Sequence, residues 1–239
     1  MKRVFPILAV LTAALLSYAL YQALVIAPTE QTMGDVQRIF YYHVPSAWTA
    51  FILFSINFVA SVVYLIRRSN KADIVALVTA EVGVVFCTVV LVTGPIWARP
   101  VWGIWWTWDL RLTLTLVLWL IYVSYLVLRR FSSSGQTPLL AAVLAIFGAL
   151  DVPLVYFSIW FFRTQHPQPV IGGGGSLDPR MWHALLINWL AFSCFAALVC
   201  WSRYRLEVLR REVDETLALE ALLEPRGTQS RTSQTWRVG

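Results

Sequence analysis

Residues 73–95 read DIVALVTAEVGVVFCTVVLVTGP, a run of 23 residues with two charged side chains, Asp73 and Glu81. A helix needs about 20 mostly apolar residues to cross the hydrocarbon core of a bilayer. The chain contains five further runs of this kind, at 5–27, 47–66, 112–130, 138–162 and 182–202. Because backbone in lipid must satisfy its own hydrogen bonds, the sequence predicts an all-α membrane protein with six transmembrane helices.

The composition supports this class. Of the 239 residues, 58% are hydrophobic and 13% are charged, whereas soluble domains contain about 45–50% apolar and about 25% charged residues. A water-soluble enzyme of this size is therefore excluded. The three cysteines, Cys87, Cys194 and Cys200, lie inside apolar runs without a C-x-x-C motif, which argues against a disulfide framework.

The basic residues predict the orientation, because lysine and arginine concentrate on the cytoplasmic side. Fourteen of the lysines and arginines lie on the side that contains both termini. The other side contains five: Arg38, Arg99, Arg111, Arg163 and Arg180. Both termini are thus expected in the cytoplasm. Three loops, roughly 28–46, 96–111 and 163–181, would face outward, which in a bacterium means the periplasm. The first span reads as an uncleaved anchor.

Two regions follow from this pattern. Residues 1–202 form the predicted membrane domain, and residues 203–239 form a cytoplasmic tail. Mixed charges over 203–224 indicate a mainly solvated helix, with docking to a partner as the less favoured reading. The composition of 225–239 indicates disorder.

The second outward loop is rich in tryptophan. Five of the twelve tryptophans lie here, at Trp97, Trp102, Trp105, Trp106 and Trp108, which exceeds a simple interfacial belt. If Pro100 begins a short helix, then Trp102, Trp105, Trp106 and Asp109 share one of its faces. Trp108 and Arg111 would lie on other faces. We expect an aromatic platform that suits a large planar ligand.

The histidines point to haem as that ligand. The chain has three, His43, His166 and His183, all in or beside the predicted outward loops. Two neutral imidazoles, one on each face, can hold a haem iron. The guanidinium groups of Arg38 and Arg111 could pair with the propionates. Zinc is less favoured, because there is no H-E-x-x-H motif or histidine pair at helical spacing.

Two acidic residues lie within the predicted spans. Glu81 is in the third span and Asp151 is in the fifth. An ionisable side chain in a bundle is a functional candidate, but hydrogen bonding between helices explains it equally well. The sequence leaves both readings open.

Several motifs resemble one known family. WGIWWTWDLRLT at 102–113 resembles the tryptophan-rich WWD motif of haem-handling membrane proteins. GDVQRIFYYHVPSAW at 34–48 resembles the first outward loop of the cytochrome c maturation protein C family, also called haem exporter protein C. Further matches are AEVG at 80–83, Thr93-Gly94, DVP at 151–153 and RTQHP at 163–167. Gln165 departs from the leucine expected there.

The resemblance implies a function. Such proteins hold haem b non-covalently at the outer face of the bacterial inner membrane. They deliver it to the periplasmic haem chaperone, maturation protein E, for attachment to cytochrome c. Their partners are the ABC-type A and B proteins and a small D protein. By motif, His43 and His166 match the iron ligands. The other expected haem-binding residues are Asp35, Arg38, Trp102, Trp105, Trp106, Trp108, Asp109 and Arg111.

The expected role is haem transfer, not catalysis. Two alternatives are a membrane electron-transfer cytochrome and a haem channel of the same motif superfamily. Both would use histidines inside the membrane, whereas the histidines here belong to the loops.

Overall fold

The computed structural model describes residues 4–132, 134–162, 165–166 and 177–223. The predicted disorder of 225–239 and the position of Arg163 lie outside these residues. The helices are α1 (Val4–Tyr21), α2 (Phe40–Arg67), α3 (Asn70–Trp102), α4 (Leu110–Phe131), α5 (Thr137–Ala149), α6 (Asp151–Phe161) and α7 (Pro179–Leu223). A π-helical turn (Gln22–Ile26) extends α1, and a 3-10 turn (Asp35–Ile39) precedes α2.

Six segments are long and apolar enough to cross a membrane: Val4–Ile26, Asp35–Arg67, Asn70–Trp102, Leu110–Phe131, Thr137–Phe161 and Pro179–Leu223. The chain is a multi-pass membrane protein, and the prediction of six spans is confirmed. The membrane side of each end stays a prediction. α7 continues past its span as one helix to Leu223.

The fifth span is two helices rather than one. α5 ends at Ala149 and α6 begins at Asp151. Proline lacks the N–H that would bond to the carbonyl four residues earlier, and Pro153 lies four residues after Ala149. The break therefore falls where the helical hydrogen-bond ladder loses a donor. α5 packs against α2 and α4, and α6 continues along α4.

The α2–α3 pair is the most extensive helix contact in the described part of the chain. A methyl group at Gly83 of α3 would lie 2.6 Å from Cε1 of Phe54 on α2. The Phe54 ring in turn stacks on Tyr122 of α4, with ring centres 3.8 Å apart. Gly83 therefore permits a close approach of the two helices that a side chain would obstruct.

A buried ionic cluster, formed by Asp73, Arg129, Glu207 and Arg211, joins three helices at the end where α2 turns into α3. Asp73 of α3 accepts two hydrogen bonds from Arg129 of α4, at 2.7 and 2.8 Å, and one from Arg211 of α7, at 2.7 Å. Glu207 accepts from Arg211 at 2.9 Å. The Asp73 side chain is 3% exposed. The cluster anchors the first part of the α7 extension to the bundle.

The polar residues of the spans have different surroundings. Glu81 forms an ion pair with Arg203 and accepts two hydrogen bonds from it, at 2.8 and 2.9 Å, which joins α3 to α7. This contact favours the structural reading of Glu81. Asp151 is buried, and its Oδ2 has no hydrogen-bond partner among the described residues.

Candidate functional site

A cavity lies at the opposite end of the bundle, between α2, α3, α4 and α6. Its volume of about 230 Å³ far exceeds the roughly 15 Å³ needed for one water molecule, so it has room for an organic ligand. Both haem-ligand candidates and four indole rings contribute to its wall, which includes Met33, Phe40, His43, Trp48, Trp97, Trp102, Trp106, Arg111, Tyr156 and His166.

His43 is held by helices rather than by a loop. The sequence placed it in the loop 28–46, but α2 begins at Phe40, so His43 lies in its first turn. The side chain is buried, and Nδ1 lies 2.8 Å from Oγ1 of Thr93 on α3. Trp97 meets the imidazole edge to face, with ring centres 5.8 Å apart. Thr93 and Trp97 are four residues apart and therefore share the face of α3 that receives His43.

His166 lies beside His43. The two ring centres are 6.4 Å apart and the rings are inclined by 33°. An imidazole nitrogen binds a first-row metal at about 2 Å, and a ring centre lies about 1 Å beyond its nitrogen. Two imidazoles on opposite sides of one metal atom would therefore have their centres about 6 Å apart. The observed separation is compatible with one iron atom held by both rings.

The tryptophan-rich segment departs from the prediction. α3 continues through Pro95 and Pro100 to Trp102, and Gly103, whose φ is 78°, caps the helix in the left-handed conformation. The amide of Gly103 donates to the carbonyl of Arg99 at 3.0 Å, as expected for a glycine-terminated helix. The short helix from Pro100, with Trp102, Trp105, Trp106 and Asp109 on one face, is therefore wrong.

The tryptophans instead divide into two sets. Trp102 and Trp106 line the cavity. Trp105 and Trp108 are 59% and 76% exposed and do not belong to its described lining. Trp106 and Trp108 meet edge to face with centres 5.8 Å apart, so the exposed ring supports the one inside.

Arg111 reaches the cavity from the first turn of α4. Its Nη1 is buried without a hydrogen-bond partner among the described residues, and so is Nε1 of Trp106. Both atoms can only donate, and buried donors normally have an acceptor. Two unpaired donors in one cavity wall suit a ligand with a carboxylate.

Three predicted site residues have other partners. Arg38 donates to the carbonyls of Ala23 (2.7 Å) and Ala27 (3.3 Å) and to the carboxylate of Asp35 (3.1 Å). It thus satisfies carbonyls at the end of the first span and is not part of the described lining. Asp35 is largely exposed. Asp109 caps α4, accepting from the amide of Leu112 at 3.0 Å.

A turn before α2 shapes one wall of the cavity. The Glu30 carboxylate accepts the amides of Thr32 and Met33, and Met33 lines the cavity. These bonds, that of Met33 foremost, hold the pKa of Glu30 below its usual 4.5. A lowered pKa means that the turn is stabilised above pH 4.5 and loses this contribution as the pH falls below that value.

Sequence reasoning did not identify Thr93, Trp97, Met33 or Tyr156 as site residues. Thr93 lies in an apolar run, and the available signal was its place in the Thr93-Gly94 motif match. His183, the third histidine, lies elsewhere. Its Nε2 is 3.4 Å from the hydroxyl of Tyr18 on α1.

These features define the class: a multi-pass membrane protein with two imidazoles and several indoles around a cavity at one end. The chain matches the family model of heme exporter protein C over residues 1–219. It therefore belongs to the heme exporter protein C family.

Individual relatives agree. The chain is 36% identical to heme exporter protein C of Bradyrhizobium diazoefficiens over 222 residues, covering 92% of this chain and 84% of that protein. It is 30% identical to heme exporter protein C of Escherichia coli K12 over 220 residues, covering 92% and 89%. It is also 31% identical to a ccmC-like mitochondrial protein of cytochrome c biosynthesis from Marchantia polymorpha over 182 residues, covering 76% of each.

Proposed function

We propose that the protein binds haem b non-covalently in this cavity, with the iron between His43 and His166. The observation that carries the proposal is the 6.4 Å separation of the two ring centres in the wall of one cavity. Neutral imidazoles on both faces would give a low-spin iron. The protein would hold its cargo by reversible coordination rather than by a covalent bond.

The remaining wall would orient the porphyrin. Arg111 and the indole N–H of Trp106 are unpaired donors, so they would receive a propionate. Trp97, Trp102 and Trp106 offer ring surface in the wall, which favours a flat apolar ligand. Arg38 and Asp35 would stabilise the adjoining turn, because their contacts lie within that turn and the end of the first span.

We further propose that the protein takes part in haem delivery for cytochrome c maturation. It would hold haem at the periplasmic face of the bacterial inner membrane and pass it to the periplasmic haem chaperone, maturation protein E. The names of its relatives support this role. Haem export by an ABC-type system implies an ATPase and a permease, the A and B proteins, and the small D protein completes the expected assembly.

The role proposed is transfer rather than electron transport. Two haems stacked across the membrane, each with two histidine ligands, would need four histidines. The chain contains three, and His183 contacts Tyr18 on α1 rather than the cavity. A single two-histidine site at one end of the bundle supports binding and release there.

A visible spectrum tests the binding site. The protein in lipid nanodiscs would be loaded with haemin and compared with its His43→Ala, His166→Ala and His183→Ala variants. We expect a low-spin spectrum for the native protein, a high-spin spectrum or haem loss for the first two variants, and no change for the third. Wild-type spectra in both His43→Ala and His166→Ala, or loss of haem in His183→Ala alone, would overturn the assignment.

Transfer needs its own test. Haem-loaded protein would be mixed with purified periplasmic chaperone, and the chaperone would then be separated and assayed for haem. We expect haem on the chaperone after mixing with the native protein, at a rate that an equal concentration of free haemin does not reproduce. Equal rates from both sources would contradict a delivery role.

A further inference from the structure

The hydroxyl of Thr93 has two close polar neighbours. Its Oγ1 lies 2.7 Å from the carbonyl oxygen of Val89 in the preceding turn of α3, and 2.8 Å from Nδ1 of His43. A hydroxyl has one proton to donate and can accept at its lone pairs, whereas a carbonyl only accepts. Both contacts are satisfied together if Thr93 donates to Val89 and accepts from a protonated Nδ1.

The same helix contains a second threonine with the same arrangement and an unambiguous direction. Thr88 donates to the carbonyl of Val84 at 2.7 Å, and Nε1 of Trp119 lies 2.8 Å from its Oγ1. Because an indole N–H can only donate, Thr88 must be the acceptor in that contact. The matching distances at Thr93 assign it the same role toward His43.

We propose that Thr93 is a positioning residue that fixes His43 as the Nδ1–H tautomer and leaves Nε2 with the lone pair. The inference rests on the proposed function in one respect, since it identifies Nε2 as the iron-binding atom. The tautomer itself is a property of the haem-free protein and does not depend on haem binding. Fixing it in advance removes the proton rearrangement that coordination would otherwise require.

Neighbouring contacts restrict the ring as well. Trp97, one turn beyond Thr93, packs edge to face against the imidazole. On the same stretch of α3, a methyl group built at Gly94 would lie 3.5 Å from Cε1 of His43, so the backbone there closes one side of the ring. The Thr93 hydroxyl thus determines which ring nitrogen of His43 is protonated, while packing against Trp97 and the α3 backbone determines the orientation of the ring.

The hydrogen bond from His43 to Thr93 should also affect the haem affinity of His43 and the reduction potential of the bound iron. An imidazole that donates its second N–H is oriented and more basic, and losing such a partner typically costs about 10–100-fold in metal affinity. A more basic ligand stabilises ferric iron relative to ferrous iron. Thr93→Val keeps the shape but removes the acceptor, so it should release haem faster and raise the reduction potential of the bound haem. Thr93→Ser should restore both properties.

The decisive measurement uses haem-free protein. With three histidines in the chain, nitrogen NMR of protein labelled with ¹⁵N-histidine resolves each ring, and the His43→Ala variant assigns the signal. We expect His43 to be protonated at Nδ1 in the native protein, in Thr93→Ser and in the matched control Thr88→Val. In Thr93→Val we expect both tautomers. A native His43 protonated at Nε2, or an unchanged tautomer in Thr93→Val, would overturn the inference.

Different results would refute the proposed haem site and the proposed role of Thr93. If native protein binds no haem but His43 is the Nδ1–H tautomer, the proposed function fails and the role of Thr93 in the tautomer stands. If haem binds with low spin and Thr93→Val has the native off-rate and reduction potential, the site assignment stands and Thr93 is not a positioning residue.

Discussion

Replacing Asp73 by alanine should strongly destabilise the fold while leaving the haem site at the other end intact. Asp73 accepts three short hydrogen bonds from two arginines and is 3% exposed. Its removal leaves Arg129 and Arg211 without this counter-charge. Breaking a buried ion pair from one side typically costs about 3–5 kcal/mol. Arg211 retains Glu207, which places the estimate within that range rather than above it.

The matched control is an exposed pair on the same helix extension. Arg210 and Asp214 approach to 3.9 Å with side chains 65% and 67% exposed, and such pairs are worth about 0–1 kcal/mol. For a chain of this size, 3–5 kcal/mol corresponds to a fall in the unfolding midpoint on the order of 10 °C. Thermal unfolding in detergent would compare Asp73→Ala with Asp214→Ala.

A second measurement locates the effect. If the cluster anchors α7, then trypsin should cleave Asp73→Ala sooner at the arginines of the α7 extension than it cleaves the native protein or Asp214→Ala. The reasoning is refuted if the two variants unfold within about 1 kcal/mol of each other, or if the α7 extension is cleaved at the native rate.

Three further predictions follow from single contacts. Gly83→Ala should cost about 1–3 kcal/mol through overpacking and Gly94→Ala much less, since the new methyl would meet its neighbour at 2.6 Å in one case and 3.5 Å in the other; equal unfolding midpoints would contradict this. Asp109→Ala should cost about 1 kcal/mol through loss of the α4 cap, and Asp109→Asn should recover most of it in the same assay. Arg111→Ala should increase the haem off-rate without changing the spin state of the iron. Arg38→Ala should lower the thermal unfolding midpoint and leave the haem off-rate unchanged. The reverse pattern would show that Arg38, and not Arg111, contacts the haem.

The six spans were predictable because lipid imposes one rule on every segment. Length and apolarity decide whether a stretch can cross, and neither depends on what the stretch contacts. The candidate ligands were recognisable for a different reason. Histidine is rare in this chain, so chemistry reduced the candidates to three, and the motif resemblance selected His43 and His166 among them.

The tryptophan-rich segment was misread because local rules compete there. A proline often stands at the start of a helix, which favours a helix from Pro100, but a proline inside a membrane helix is tolerated when neighbouring groups compensate for its missing bond. The helix instead ends just before Gly103, which adopts a positive φ. The conformation of the segment after Gly103 depends on contacts such as that between Trp106 and Trp108, which helical periodicity cannot predict.

Contacts between distant residues were out of reach for a different reason. Asp73 and Arg129 are 56 positions apart, and Glu81 and Arg203 are 122 apart. No local pattern pairs them, so Glu81 was equally compatible with a functional and a structural role. Thr93 was hidden because threonine within an apolar helix ordinarily bonds its own backbone, and the second contact with His43 depends on how α2 packs against α3.

The single helix α3 connects both ends and makes the tests separable. Asp73 and Thr93 are 20 residues apart on it, about 30 Å at helical rise, which is close to the thickness of a bilayer core. The described contacts of the ionic cluster and those of His43 share no residue. Distant substitutions without shared partners act additively. Loss of haem in a folded Asp73→Ala protein would therefore count against the separation of anchoring and binding, and a stability loss in Thr93→Val comparable to that of Asp73→Ala would count against a positioning role.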